Sequence, residues 1–102
     1  MSYHIIVGPL ALQRLRSAIE WWHAHRPRAR DLLLNEVNRA IARLETTPHI
    51  GIPHRRGDNT RRRLLLLRSR YHLVYSVYDA TRTVRIRTIR ASERVRTRTK
   101  RR

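Results

Sequence analysis

The 102-residue chain reads as an α+β domain of order β-α-α-β-β-β, with a helical hairpin packed on one face of a mainly antiparallel four-stranded sheet. Three observations predict this. Apolar residues recur every three or four positions up to about residue 44 and every second position beyond about residue 60. The two helical stretches meet tightly at Arg26-Pro27. The last three strand-like stretches are joined by links too short for a parallel crossover, which makes them an antiparallel meander.

In chain order, residues 3–7 alternate around Ile5 and form a short strand that Gly8-Pro9 stops. Pro9 suits the first position of a helix, where its missing N–H costs nothing. Leu12, Leu15, Ile19 and Trp22 then share one helical face, and Pro27 disfavours helical geometry at Arg26, so this helix ends near His25. A second helix is expected from about Pro27, with Ala29, Leu33, Val37, Ala40, Ile41 and Leu44 on one side and an end at Thr46-Thr47-Pro48. Residues 45–60 hold Pro48, Gly51, Pro53 and Gly57 and read as a long loop without regular structure. Strands are expected over residues 61–67, 71–79 and 83–89.

Val84 and Ile86 should face the helices, because Arg85 and Arg87 cannot. Pairing Ile86 with Val77 places Tyr71, Leu73, Tyr75 and Val77 on the same inner side. His72, Ser76, Tyr78, Arg85 and Arg87 then share the outer side. Leu64 to Leu67 is a continuous apolar run in a one-sided sheet, so two of these leucines, Leu65 and Leu67, point away from the helices. Either the long loop folds over them or a partner chain covers them.

Composition bounds the chemistry. With no Cys, disulfide frameworks, thiolate metal sites and cysteine nucleophiles are excluded. No segment has the length and apolarity of a membrane span, and no charged leader precedes the first apolar stretch, so a soluble cytoplasmic protein is expected. Lys plus Arg number 24 against 7 Asp plus Glu, a formal charge of +17 that favours any nearby polyanion. The histidines and carboxylates are scattered: His23 and His25 diverge on a helix, and His49 and His54 lack a neighbouring carboxylate pattern. No metal site and no cofactor is expected. There is no phosphate-binding loop and no nucleophile elbow. The one reaction that suits an arginine-rich face is RNA cleavage, in which cations stabilise the developing phosphorane. Arginine cannot accept the proton, which leaves His72, read as an outward-facing surface residue, as the candidate base. Tyr78 and Arg85 could equally form a structural cation–π pair.

The element order, the Thr47-Pro48-x-x-Gly51 turn, and above all RYHLVYSVYD followed by VRIRTIRASER resemble the RelE/ParE toxin superfamily. The resemblance runs from Val7 to Arg94 and is anchored on Tyr71, Leu73, Tyr75, Val77 and Arg94. It implies a toxin domain over residues 1–94, a basic tail over residues 95–102, and a hetero-oligomer with a cognate antitoxin. RelE-type toxins cut mRNA on the ribosome. The positions of that catalytic set are occupied here by Leu64, Leu66, His72, Ser92 and Arg98, a poor fit, with Arg94 retained. An RNase reading would rest on His72, Tyr78, Arg85 and Arg94. The sequence is more similar to the ParE branch, which is associated with DNA gyrase inhibition, and a non-enzymatic role is expected. The surface that binds target and antitoxin is then expected at Leu65, Leu67, Arg85, Arg87, Arg90, Arg94, Arg96 and Arg98. The antitoxin segment should alternate acidic and apolar residues and fold as it binds. A plain nucleic-acid-binding protein is the remaining reading, weakened because neither helix offers base-reading residues and exposed aromatic platforms are few.

Overall fold

The computed structural model describes residues 2–56 and 59–92. Strand β1 spans His4–Val7 and runs into helix α1, Pro9–His25, with Pro9 in the first turn. The Arg26 N–H donates to the Trp22 carbonyl and closes α1. Pro27–Ala29 then forms a 3-10 turn, and helix α2 spans Leu32–Thr46. The second helix thus starts five residues later than its periodicity suggests, since a proline-led tight turn absorbs the first residues and leaves Ala29 exposed. Its inner face is otherwise as expected, with Leu33, Val37, Ala40 and Leu44 buried. No helix among the described residues is long and apolar enough to cross a membrane.

The region expected to be an irregular loop contains an additional strand. After a short turn at Pro48–Ile50, β2 spans Ile52–Arg56 and pairs antiparallel with β3, Asn59–Leu65. Strands β4, Tyr71–Tyr78, and β5, Thr83–Ala91, complete the sheet. Its order is β1-β5-β4-β3-β2, five strands among the described residues, with β1 parallel to β5 and the others antiparallel. Proline and the flanking glycine masked β2 in the sequence; Pro53 is tolerated because β2 is an edge strand.

The inner face of the sheet was correctly identified, but its register was not. Val77 pairs with Val84 and Tyr75 with Ile86, two residues from the expected Ile86–Val77 pair. A bulge between Val74 and Tyr75 leaves Arg87 as the extra residue on β5. The bulge explains why Val84, Ile86 and Ile89, spaced by two and then three, all reach the same core. There they meet Leu73, Tyr75 and the buried faces of both helices.

Two polar devices fix what surrounds the sheet. The Tyr75 hydroxyl, fully buried, donates to the Pro48 carbonyl at 2.8 Å and accepts the Gly51 N–H at 2.9 Å. A side chain on residue 51 would come within 2.6 Å of that hydroxyl and 2.9 Å of the Arg63 carbonyl, so the turn requires glycine. Glu36 of α2 accepts the backbone N–H groups of Arg68 and Ser69 at 2.9 and 2.8 Å and clamps the β3–β4 turn to the helix. Burial opposes its charge, yet these N–H groups prevail and hold its carboxyl below the ordinary value.

Candidate functional site

The outer face of the sheet is built by strand register. His72 lies between Leu65 and Arg90, Val74 between Arg63 and Thr88, and Ser76 beside Arg85. Arg87, turned out by the bulge, donates through Nε to the Ser76 hydroxyl at 3.2 Å and through a terminal nitrogen to the Tyr78 hydroxyl. Strands β3 and β5, on either side of β4, contain three arginines each, and none of the three strands contains a carboxylate. The face is therefore a fixed cationic surface, and the Arg87 head is oriented by two hydroxyls before any ligand arrives.

His72 is only 7% exposed, which corrects the expectation of a surface histidine. Its burial, followed by the nearby charges of Arg63 and Arg90, lowers its pKa below the ordinary histidine value. At neutral pH it is an uncharged imidazole among arginines, and an uncharged imidazole can accept a proton. The expected Tyr78–Arg85 pair does not form; the bulge gives that role to Arg87 as a hydrogen bond. Arg85 instead reaches toward Gly8, at the junction of β1 and α1.

An apolar groove adjoins this face. Leu64 packs on the core and Leu66 is buried, whereas Leu65 and Leu67 are 43% and 71% exposed. The loop that could have covered them pairs alongside β3 as strand β2. Leu64 to Arg68 line a cavity of about 300 Å³ together with Glu36, Arg39, Ala40 and Arg43 of α2. Its floor is apolar and its rim carries Arg39, Arg43 and Arg68, a combination suited to an amphipathic acidic segment.

Of the residues expected in the site, Arg85, Arg87, Arg90, His72 and Tyr78 share the outer face, with Leu65 in the same row as His72. Leu67 sits on the β3–β4 turn and lines the groove. Arg94, Arg96 and Arg98 lie outside the described residues. Sequence reasoning missed Arg63, and it placed Ser76 on the outer side without seeing that it holds Arg87. Arg63 follows from the alternation that sends Leu64 and Leu66 inward, but the role of Ser76 depends on the bulge, which simple alternation does not show. His49, read as lacking a carboxylate, faces Asp79 at 3.1 Å, and Asp79 also accepts the Tyr3 hydroxyl at 2.7 Å. No group of three metal-ligating side chains occurs among the described residues.

A helical hairpin on one side of a mixed sheet, with an arginine-lined opposite face, defines a small basic α+β protein. The sequence model for the ParE toxin of type II toxin–antitoxin systems matches residues 5–96, and the chain belongs to that family. Solved structures are similar in fold. The RelBE2 toxin–antitoxin complex of Mycobacterium tuberculosis contains a chain 24% identical with a TM-score of 0.58, the match covering 89% of this chain and 99% of that one. The isolated RelE toxin of E. coli is 22% identical with a TM-score of 0.59, covering 95% and 94%. A chain of the intact E. coli RelBE complex is 23% identical with a TM-score of 0.58, covering 90% and 99%. A comparison with curated proteins finds no match.

Proposed function

We propose that this toxin arrests growth by docking its cationic sheet face on DNA gyrase, without doing covalent chemistry, and that a cognate antitoxin blocks it. The observation that carries the reading is the outer face itself. Arg63, Arg85, Arg87 and Arg90 surround a buried His72-Val74-Ser76 stripe, with Arg87 already held by Ser76 and Tyr78, an arrangement suited to rigid docking. The match to the ParE family supports gyrase as the target. The antitoxin would place an acidic, leucine-bearing segment in the groove of Leu65 and Leu67, as the charge of +17 and the complexes solved for the RelE relatives suggest.

One observation favours a second reading. The imidazole of His72, paired with Arg90 in the register, near the charge of Arg63 and with its pKa lowered first by burial, suits a general base beside a phosphate, which points to ribosome-dependent mRNA cleavage. A supercoiling assay with purified gyrase separates the two. Gyrase docking predicts inhibition that the antitoxin reverses and that His72→Ala leaves largely intact. Unimpaired gyrase, with His72→Ala losing on the order of 100-fold or more in mRNA cleavage, would establish the enzyme instead.

A further inference from the structure

The tip of the helical hairpin carries an aromatic and basic cluster that neither docking nor neutralisation uses. Trp21 is 44% exposed on α1, although its neighbour Trp22 is buried and donates its indole N–H to the Ala29 carbonyl at 2.6 Å. The His25 ring stacks on Trp21, with centroids 4.4 Å apart and planes within 11°. His25 Nδ1 lies 2.9 Å from the Trp21 carbonyl, a hydrogen bond that fixes the ring in place. The Arg26 guanidinium carbon sits 5.9 Å from both indole rings, and the exposed Arg28 and Arg30 follow in and after the 3-10 turn.

An indole left in water costs hydrophobic free energy, and here it is also ordered by a stacked partner. Such a platform accepts a planar aromatic ligand, and the flanking arginines require that ligand to be anionic. Position adds a second argument. Trp22 packs edge-on against Tyr71, which pairs with Ala91 at the end of β5, and the Ser92 N–H donates to the Arg70 carbonyl. The tip therefore lies at the end of the sheet that carries the exposed Arg70, with the exposed Arg90 on the sheet's other face. The described carboxylates nearby are the exposed Glu20, next to Trp21 on α1, Asp31, 3.9 Å from His23, and Glu36, held by the β3–β4 turn; the arginines of the tip outnumber the free ones among them.

We infer that the Trp21–His25 stack and Arg26, Arg28 and Arg30 form a contact site for single-stranded nucleic acid, in which an unpaired base extends the stack and the arginines hold its phosphates. Duplex bases are already stacked on each other, so a duplex uses the arginines but not the platform. Hydrogen-bond readout is not involved, and the site is indifferent to sequence.

The test is fluorescence anisotropy of the full chain with labelled oligo-uridylate, oligo-thymidylate and a DNA duplex of equal phosphate number. Trp21→Ala should weaken both single strands about 5- to 150-fold, the scale of losing one base-stacking contact, and leave the duplex unchanged. Arg28→Gln with Arg30→Gln should weaken all three probes and reduce the salt slope for single strands by about 1.4, two phosphate contacts' worth. Trp21→Phe, which keeps an aromatic face and the fold, should retain most single-strand affinity. Equal losses for strand and duplex in Trp21→Ala, or none, overturn the inference. So does a Trp21→Ala protein with normal oligonucleotide binding but weakened antitoxin binding, which would make the tip a protein contact. Gyrase inhibition, measured in parallel, reports on the docking face independently.

Discussion

On the helix-facing side of the sheet, Leu73, Tyr75, Val84 and Ile86 are at most 2% exposed; on the opposite side His72, Val74 and Ser76 are 7%, 4% and 5% exposed, although both helices pack elsewhere. The two faces are buried by different means. The inner face is apolar and is covered by Leu33, Val37, Ala40, Leu44 and Trp22 of the hairpin. The registered neighbours of the outer stripe include Arg63, Arg85 and Arg90 beside Leu65 and Thr88, with Arg87 on the Ser76 hydroxyl. Arginine stems can lie along apolar surface while their heads stay in water. A sheet face can thus be shielded without a second layer and still present cations to a partner. Burial on one side supplies stability, and on the other it supplies orientation.

The largest expected effect breaks the inner side. Leu73→Ala should cost about 2–5 kcal/mol in urea unfolding, because the helices and the sheet cannot collapse into the space left. Val74→Ala, its neighbour on the outer face, should cost clearly less, since flexible arginine stems can close over the gap. Equal losses at the two positions would show that both faces are packed alike. Next in size is Tyr75→Phe. It leaves the Pro48 carbonyl and the Gly51 N–H without their hydroxyl partner, at a cost of about 1–3 kcal/mol. A neutral result would mean that the turn before β2 holds without Tyr75.

The inner face was legible in sequence because it obeys simple rules. Periods of 3.6 and 2 marked α1, α2 and the inward residues of β4, and Pro9 and Pro27 marked the limits of α1, although Leu12, expected on the inner face of α1, is exposed and Ala11 and Ala18 are buried there instead. What was not legible depended on exceptions to those rules. Strand β2 hides behind Pro53 and is held by pairing with β3 more than by its own pattern. The bulge at Arg87 reverses the alternation of β5, so Ile89 turns inward and Ser76 gains its arginine. The neighbours of His72 stand on two other strands, which no local pattern records. The outer-face placement of His72, Ser76, Tyr78, Arg85 and Arg87 was legible in the alternation, whereas the pairings among them were not.

A pH series sharpens the comparison at His72. Its folded-state pKa lies below the unfolded value of about 6.5, so the unfolded chain takes up the proton first. Stability from this group is complete above about pH 6.5 and declines as pH falls from there toward the lowered folded pKa. Glu36, also lowered, adds stability that is present above its unfolded pKa, about 4.3, and is lost as pH falls through its folded pKa. Unfolding midpoints followed downward from pH 8 should therefore fall in two stages. His72→Gln should remove the first stage and leave the second. A first stage that survives this substitution would assign it to another histidine.

The smallest expected change in stability is on the groove, where the consequence for binding is largest. Leu65 and Leu67 are exposed, so Leu65→Ser with Leu67→Ser removes apolar surface that water already touches, and the unfolding free energy should move by no more than about 0.5 kcal/mol for each. Solubility of the chain without its partner should rise, since the exposed apolar patch is what drives association. Antitoxin affinity should fall by at least about tenfold, the equivalent of about 1.4 kcal/mol, if an apolar segment of the partner fills the groove. Replacing Arg39 and Arg43 on the rim with Gln should instead slow association and flatten its salt dependence, with little effect on dissociation. Isothermal titration calorimetry and stopped-flow kinetics with the antitoxin distinguish these outcomes. If the double serine variant binds as tightly as the parent, the groove is not the antitoxin's seat, and the leucines are exposed for another partner.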